Sequence, residues 1–316
     1  MADNRTGLVY DPVYKEHVPG FGHPECPDRL EAVRQGIDDA VPKEKLVAVT
    51  PRDATDAELA ICHTDEYVAR VKHDITGGCG TLSTGDTDIC PRSLAAAVRA
   101  AGGAMAAVDA VFAGTVRNAF CAVRPPGHHA TPDRGMGFCI FNNVAIAARH
   151  AQKTHGVERV LIVDWDVHHG NGTQDIFYDD PSVFYFSTHQ WPAYPMTGLP
   201  NERGVGKGEG FTLNCPVPAG AGRKEILGAF QEALLPAMRS FKPEFVLISA
   251  GFDAREADLV GNLRLKDQDF ADLTDIMLQI AADSAKDRIV SVLEGGYWLP
   301  GLATATGAHV RRLAGA

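Results

Sequence analysis

The chain alternates short apolar runs with longer amphipathic stretches. Gly7-Leu8-Val9-Tyr10, Phe120-Cys121-Ala122-Val123, Val160-Leu161-Ile162-Val163, Val183-Phe184-Tyr185-Phe186, Phe211-Thr212-Leu213-Asn214, residues 245–250 and residues 289–293 each read as a strand. Where such a run is continuously apolar rather than alternating, both of its faces are expected to be covered, as in a parallel sheet. Helices are expected between them. They are 28–39 opened by Pro27, 92–112 with Ser93 as a cap, 141–155 stopping at Gly156, 224–239, 267–285, and one after Pro300. This alternation predicts an α/β fold, one domain over 1–316, with a mostly parallel central sheet and helices on both faces. No repeat, low-complexity segment or linker interrupts it.

Polar groups collect where four of these runs end. Asp164-Trp165-Asp166-Val167-His168-His169-Gly170-Asn171-Gly172 follows 160–163, and Arg124-Pro125-Pro126-Gly127-His128-His129 follows 120–123. Gly251-Phe252-Asp253 follows 245–250, and Glu294-Gly295-Gly296-Tyr297 follows 289–293. Open α/β sheets bind ligands at the carboxyl ends of their strands. Carboxylates and imidazoles at a buried strand end are costly unless something pairs with them. Side chains two apart on an extended segment point the same way, so Asp166 and His168 converge, with Asp164 beneath them. An oxygen and a nitrogen donor so placed suit a divalent transition metal. The plain alternative is a charged loop after a strand.

Composition narrows the class. The chain has 316 residues, 45% hydrophobic and 22% charged, as ordinary globular proteins do. No apolar run reads as a membrane span, and Met1 to Thr6 lacks a signal peptide's apolar region, so a cytosolic (cytoplasmic) protein is expected. Seven dispersed cysteines without a Cys-x-x-Cys pair predict reduced thiols and argue against a cysteine zinc site. The net charge of -10 disfavours nucleic acid or an anionic membrane as a direct partner. Homo-oligomerisation stays open. The glycine-rich 205–210 lacks the lysine-serine ending and following helix of a phosphate loop.

Taken together, Arg124-Pro-Pro-Gly-His-His129, Gly137-Phe-Cys-Ile-Phe-Asn-Asn143, the run from Asp164 to Thr173, Ser249-Ala-Gly-Phe-Asp253 and Glu294-Gly-Gly-Tyr297 resemble the zinc-dependent histone deacetylase and acetylpolyamine amidohydrolase superfamily. His23-Pro24-Glu25 with Pro27-Asp28-Arg29-Leu30 adds to the likeness, which is closest to the class II-like branch. The resemblance implies an arginase-like fold with a mostly parallel eight-stranded sheet, and hydrolysis of an N-acetyl amide on a lysine or similar amine. It implies Asp166, His168 and Asp253 as zinc ligands, with iron able to take zinc's place. It implies His128 and His129 beside the reacting water, Asp164 behind His128, Asn171 behind His129, and Tyr297 as the catalytic tyrosine. Phe138 and Tyr194 match walls of the acyl-lysine channel, and Arg29 matches an arginine near the acetate exit. Potassium is implied near the Asp164–His168 carbonyls and Ser187. Asp86 and Asp88 lie where the family carries an acidic group at the channel mouth.

The chemistry of the residues is consistent with this. Three protein ligands leave zinc a position open to water, whose pKa falls toward roughly 7. A neutral histidine can take that proton and later protonate the leaving amine. A tyrosine after two glycines can reach inward to donate to the oxyanion. A binuclear ureohydrolase needs a further carboxylate, but Ala254 and Arg255 follow Asp253. A silent acyl-lysine-binding scaffold would be expected to have lost a ligand or the tyrosine. A His-Glu-x-x-His peptidase motif is absent. Polyamine-preferring members tend to carry an acidic gatekeeper past the third ligand, where this chain has Val260, with Leu259 in place of a frequent proline. Residues 18–27 also lack a narrowing insertion. Acylated lysine or a small acetylated amine is therefore the expected substrate, ahead of long polyamines.

Overall fold

The computed structural model describes residues 4–316. Eight strands form one sheet: β1 (Thr6–Val9), β2 (Leu46–Val49), β3 (Asn118–Cys121), β4 (Val160–Asp164), β5 (Val183–Gln190), β6 (Thr212–Val217), β7 (Phe245–Ala250) and β8 (Ile289–Leu293). Their order is β2-β1-β3-β8-β7-β4-β5-β6, and every neighbouring pair is parallel. The four strands whose ends carry the polar motifs, β3, β8, β7 and β4, are therefore contiguous at the centre of the sheet.

The α-helices are α1 (Asp28–Ala40), α2 (Asp56–Leu59), α3 (Asp65–Thr76), α4 (Ser93–Phe112), α5 (Asn143–His155), α6 (Asn171–Phe177), α7 (Arg223–Ala229), α8 (Leu235–Phe241), α9 (Asp267–Ile280) and α10 (Leu299–Leu313). Register shows that they cover both faces. Ser291 of β8 meets His309 of α10 at 2.9 Å, and Ser291 is level with Ile248 of β7. Phe245 of β7 packs on Phe112 of α4, with ring centroids 5.3 Å apart. Residues 245 and 248 are an odd number apart, so α4 and α10 lie on opposite faces. Strands β1, β3, β4, β5, β7 and β8 are buried along their whole length, as continuous apolar runs require, while the edge strands β2 and β6 are only partly buried.

Several elements differ from expectation. β3 lies two residues earlier than 120–123, and β5 runs to Gln190, which brings Ser187 into the strand. Strand β2 and helix α3 were not foreseen. Ser93 does not cap α4 but is its first residue; its hydroxyl accepts the Cys90 amide and meets His17. Helix α5 begins at Asn143 because Asn142 caps it, accepting from the Ala145 amide. The expected helices 224–239 and 267–285 contain wider π turns, at Phe230–Leu234 and Ala281–Ala285. By length and composition α4 would pass for a membrane span, but it is mostly packed inside the fold. All seven cysteines are free thiols.

Candidate active site

Three acceptors converge beyond β4 and β7. Asp166, His168 and Asp253 present one ligand atom each, all within 4.8 Å of one another. His168 turns its Nδ1 inward, 3.2 Å from Asp166 Oδ1 and 3.4 Å from Asp253 Oδ2. Backbone amides aim the carboxylates. Gly295 N–H donates to Asp166 Oδ2 at 2.8 Å, and Val167 N–H to Asp253 Oδ1 at 2.8 Å. Asp253 Oδ2 is left buried with no hydrogen-bond partner. Such an atom is costly in a protein interior, and it faces an imidazole nitrogen and a second carboxylate. Burial, reinforced by Asp166, pushes Asp253 up to about 7. Burial also opposes charge on Asp166, but His128 and His168 hold it below the usual carboxylate range. Two buried acids and an imidazole around an orphaned oxygen fit a divalent cation, which would supply the missing positive charge.

The paired histidines beyond β3 carry opposite protonation. His128 Nδ1 lies 2.9 Å from Asp164 Oδ2, which also accepts from the Tyr185 hydroxyl at 3.2 Å. Burial works against charge on His128, yet Asp164 and Asp166 raise its pKa well above the ordinary value. His129 Nδ1 lies 2.9 Å from Asn171 Oδ1, a neutral partner. Burial, then the nearby His128 and His168, lower its pKa well below the ordinary value. One ring is thus charged and its neighbour, 4.0 Å away between centroids, is neutral. With Nδ1–H given to Asn171, His129 keeps Nε2 free to accept a proton.

Tyr297 is almost fully buried, and burial raises its pKa well above 10, so it stays a neutral donor. Its hydroxyl has no hydrogen bond among the described residues. The two preceding glycines serve different needs. Gly296 has φ 118°, a conformation side chains rarely adopt, while a Cβ on Gly295 would stand 2.0 Å from Asp253 Oδ2. Three groups then hold the tyrosine. Asp258 Oδ2 accepts the amides of Tyr297 and Trp298 at 2.7 and 3.1 Å. Arg29 donates to Gly296 O and Glu294 O and lies 4.8 Å from the tyrosine ring. Phe138 packs edge-on at 5.8 Å.

The expected mouth residues fall in three groups. Tyr194 packs edge-on against His129 at 5.1 Å, and Phe138 has φ 69° beside Gly137 at φ 56°. Asp86 joins these walls, accepting the Gly137 amide at 2.8 Å and the Tyr194 hydroxyl at 3.1 Å. Asp88 does not join them; it accepts from Thr81 inside its own turn. Val260 donates its amide to Asp258. Ser187 is level with Asp164 in the sheet and bonds His189. His169, counted with His168 in the polar run, turns away to Thr197 and Gln174.

Sequence reasoning assigned no role to Glu294, Glu25, Arg124 or Asp258. Glu294 accepts the amides of Gly127 and His128, and so fixes the paired histidines. Glu25 binds Arg29 and Arg124 underneath. The motifs contained the first three, but apart from the Glu25–Arg29 pair, four residues apart, their partners are remote in sequence, and no local pattern names them.

A buried two-acid, one-imidazole cluster that could hold a metal, beside two histidines whose proton affinities are pushed apart, at the carboxyl end of a parallel sheet, fits metal-assisted hydrolysis. Residues 23–313 match the histone deacetylase domain family, and the chain belongs to that family. It is 40% identical over 301 residues to a probable deacetylase of Archaeoglobus fulgidus, covering 94% of this chain and 82% of that protein. It is 39% identical over 278 residues to a histone deacetylase-like amidohydrolase of Pseudomonas aeruginosa, covering 87% and 73%. It is 42% identical over 303 residues to the mouse polyamine deacetylase HDAC10, covering 92% of this chain but only 45% of that protein. The crystal structure of the HDA15 HD domain superposes with a TM-score of 0.93 at 37% identity, over 99% of this chain and 90% of that one. The reaction class that comes with the family is hydrolytic deacetylation of acetyl amides.

Proposed function

We propose that the protein removes acetyl or related acyl groups from lysine side chains or similar primary amines, with zinc, or iron in its place, held by Asp166, His168 and Asp253. The orphaned Asp253 oxygen between His168 and Asp166 carries this reading. A divalent metal held there would polarise the amide carbonyl and lower the pKa of water. Everything else falls to the chain. His129 Nε2 takes the proton of the attacking water, then passes it to the departing amine. Asn171 fixes the tautomer that leaves Nε2 free. His128, charged against Asp164, stabilises negative charge gathering on the substrate. Tyr297 donates to the oxyanion, and Phe138 and Tyr194 flank the acyl chain. Arg29 lies beneath the tyrosine, on the side from which acetate leaves. A potassium ion near Asp164 and Ser187 would add fixed positive charge under the site.

An acetylpolyamine substrate is the second reading, favoured by the HDAC10 relatives. Against it, the loop after Asp253 offers Val260 rather than an acid at the gatekeeper position. Turnover of acetyl-lysine peptides, longer acyl-lysines and acetylpolyamines separates the two. The same assay tests the mechanism. Tyr297→Phe keeps the ring and removes one donor, so turnover should fall by roughly 10²–10³ with metal content and melting temperature unchanged. Near-normal turnover in metal-replete Tyr297→Phe would remove the tyrosine from the mechanism.

A further inference from the structure

A second set of metal-type donors lies at the other end of the sheet. Asp109 is in the last turn of α4, and His150 and His155 are on α5. His150 Nε2 and His155 Nε2 each lie 2.7 Å from the same oxygen, Asp109 Oδ1. His155 stacks on Phe112 at 4.4 Å and 9°, and Phe112 packs on Phe245, the first residue of β7. The active site begins past the last residue of that strand. At roughly 3.3 Å per residue over six residues, the two sites are about 20 Å apart.

We propose that Asp109, His150 and His155 form a separate transition-metal site that takes zinc or a similar borderline cation. The donors are two imidazole nitrogens and a carboxylate oxygen, the mixed set that zinc accepts with a position left for water. Asp109 is 43% exposed on its side chain, so solvent reaches that position, while His150 is held inside at 9%. Both rings are already oriented. Thr154 Oγ1 lies 3.3 Å from His150 Nδ1, and Phe112 fixes the plane of His155. The Thr154 hydroxyl can accept as well as donate. It can therefore hold His150 as the Nδ1–H tautomer, with the proton moved from Nε2 to Nδ1 and the ring still neutral. Ligand bonds of about 2.0 Å set tetrahedral donors roughly 3.3 Å apart, so each imidazole needs to retreat only about half an ångström. A carboxylate in the last turn of a helix opposes the helix dipole, and a cation beside Asp109 relieves that opposition. Bound there, the ion would clip the end of α4 to the end of α5.

The test counts metal. The holoenzyme is dialysed against excess zinc, then against metal-free buffer containing no chelator, and analysed for bound zinc. Wild type should hold two equivalents. Asp109→Asn and His155→Ala should each hold one and keep wild-type deacetylase turnover. Asp253→Ala should also hold one, but without activity. Added zinc should raise the melting temperature of wild type and not that of His155→Ala. One equivalent in wild type overturns the proposal. So does a second equivalent that survives both Asp109→Asn and His155→Ala, or one that disappears with Asp253→Ala, which would place both ions in the active site. Because each cluster is removed separately, failure here leaves the catalytic reading standing.

Discussion

The floor of the site and its mouth are built in opposite ways. Beneath the proposed catalytic residues, Glu25 is fully buried and takes Arg29, Arg124 and His17 at once. Arg124 also holds the carbonyls of Tyr14 and His17, and Arg29 those of Glu294 and Gly296. At the mouth, one exposed carboxylate, Asp86, holds one amide and one hydroxyl. The floor fixes each catalytic backbone segment several times over. The mouth is left to few contacts, so its shape can change without unfolding the protein. Catalysis needs reacting groups within a fraction of an ångström, whereas substrate choice can be retuned by single rim residues. On this view, damage to the floor should appear in stability and damage to the mouth in binding.

The largest expected effect is at Glu25. Burial opposes its charge, but Arg124 and His17 hold its pKa well below the ordinary carboxylate value. Glu25→Gln leaves two buried guanidinium groups short of a counter-charge. Breaking a buried pair from one side costs about 3–5 kcal/mol, which urea unfolding would read directly. Activity of the molecules that remain folded should also fall, because Arg29 positions the Gly295–Gly296 bend under Tyr297. A loss of stability below about 1 kcal/mol would mean the floor is not over-determined in this way.

Buried histidines outside the floor set a pH response. His63 is buried, accepts the Asn142 amide at Nε2 and meets Thr131 O through Nδ1, so it is held neutral. Burial lowers its pKa from 6.5 to about 4. Between these values the unfolded chain binds a proton that the folded chain refuses. Stability present above pH 6.5 is therefore lost as pH falls toward 4, by about 3 kcal/mol for this group. His189, lowered to about 4, and His309, lowered to about 3, add in the same direction. The difference in unfolding free energy between wild type and His63→Gln, followed from pH 7 to 4, isolates the single contribution. A difference that does not change with pH would show that His63 titrates normally in the fold.

The same division explains what was legible in the sequence. The proposed metal and catalytic residues stand in short runs at or just past the ends of apolar strands, so the runs were legible, but β4 ends at Asp164 and it is a bend over 166–168, not an extended segment, that brings Asp166 and His168 together. The floor was not legible. Glu25 and Arg124 meet across 99 residues, and Asp258 reaches amides 39 and 40 residues away. Strand β2 is an edge strand and only half buried, so its apolar run carried little weight. Helix α3 was legible but missed. Thr64 caps it, and Tyr67, Val68, Val71 and Ile75 form one buried stripe. His169 shows the limit of spacing: it neighbours His168, but the chain bends past the end of β4 and His169 turns to Thr197 and Gln174.

The smallest expected effect is at the mouth, and it tests the comparison from the other side. We propose two duties for Asp86 there. It accepts the Gly137 amide beside Phe138, whose φ of 69° is strained for an aromatic residue, and it offers charge to a substrate backbone. Asp86→Asn can keep the first duty and lose the second; Asp86→Ala loses both. On acetyl-lysine peptides, Asp86→Asn should raise KM about 3–10-fold with kcat near normal, the scale of one partly exposed hydrogen bond worth about 1 kcal/mol. Asp86→Ala should raise it further and lower kcat slightly, as the Phe138 wall loosens. Asp88→Ala, which touches only its own turn, serves as the control and should change neither constant. Melting temperature should hold in all three variants. An unchanged KM in both Asp86 variants would remove the residue from substrate binding, and a melting temperature that fell as far as in Glu25→Gln would erase the distinction between mouth and floor.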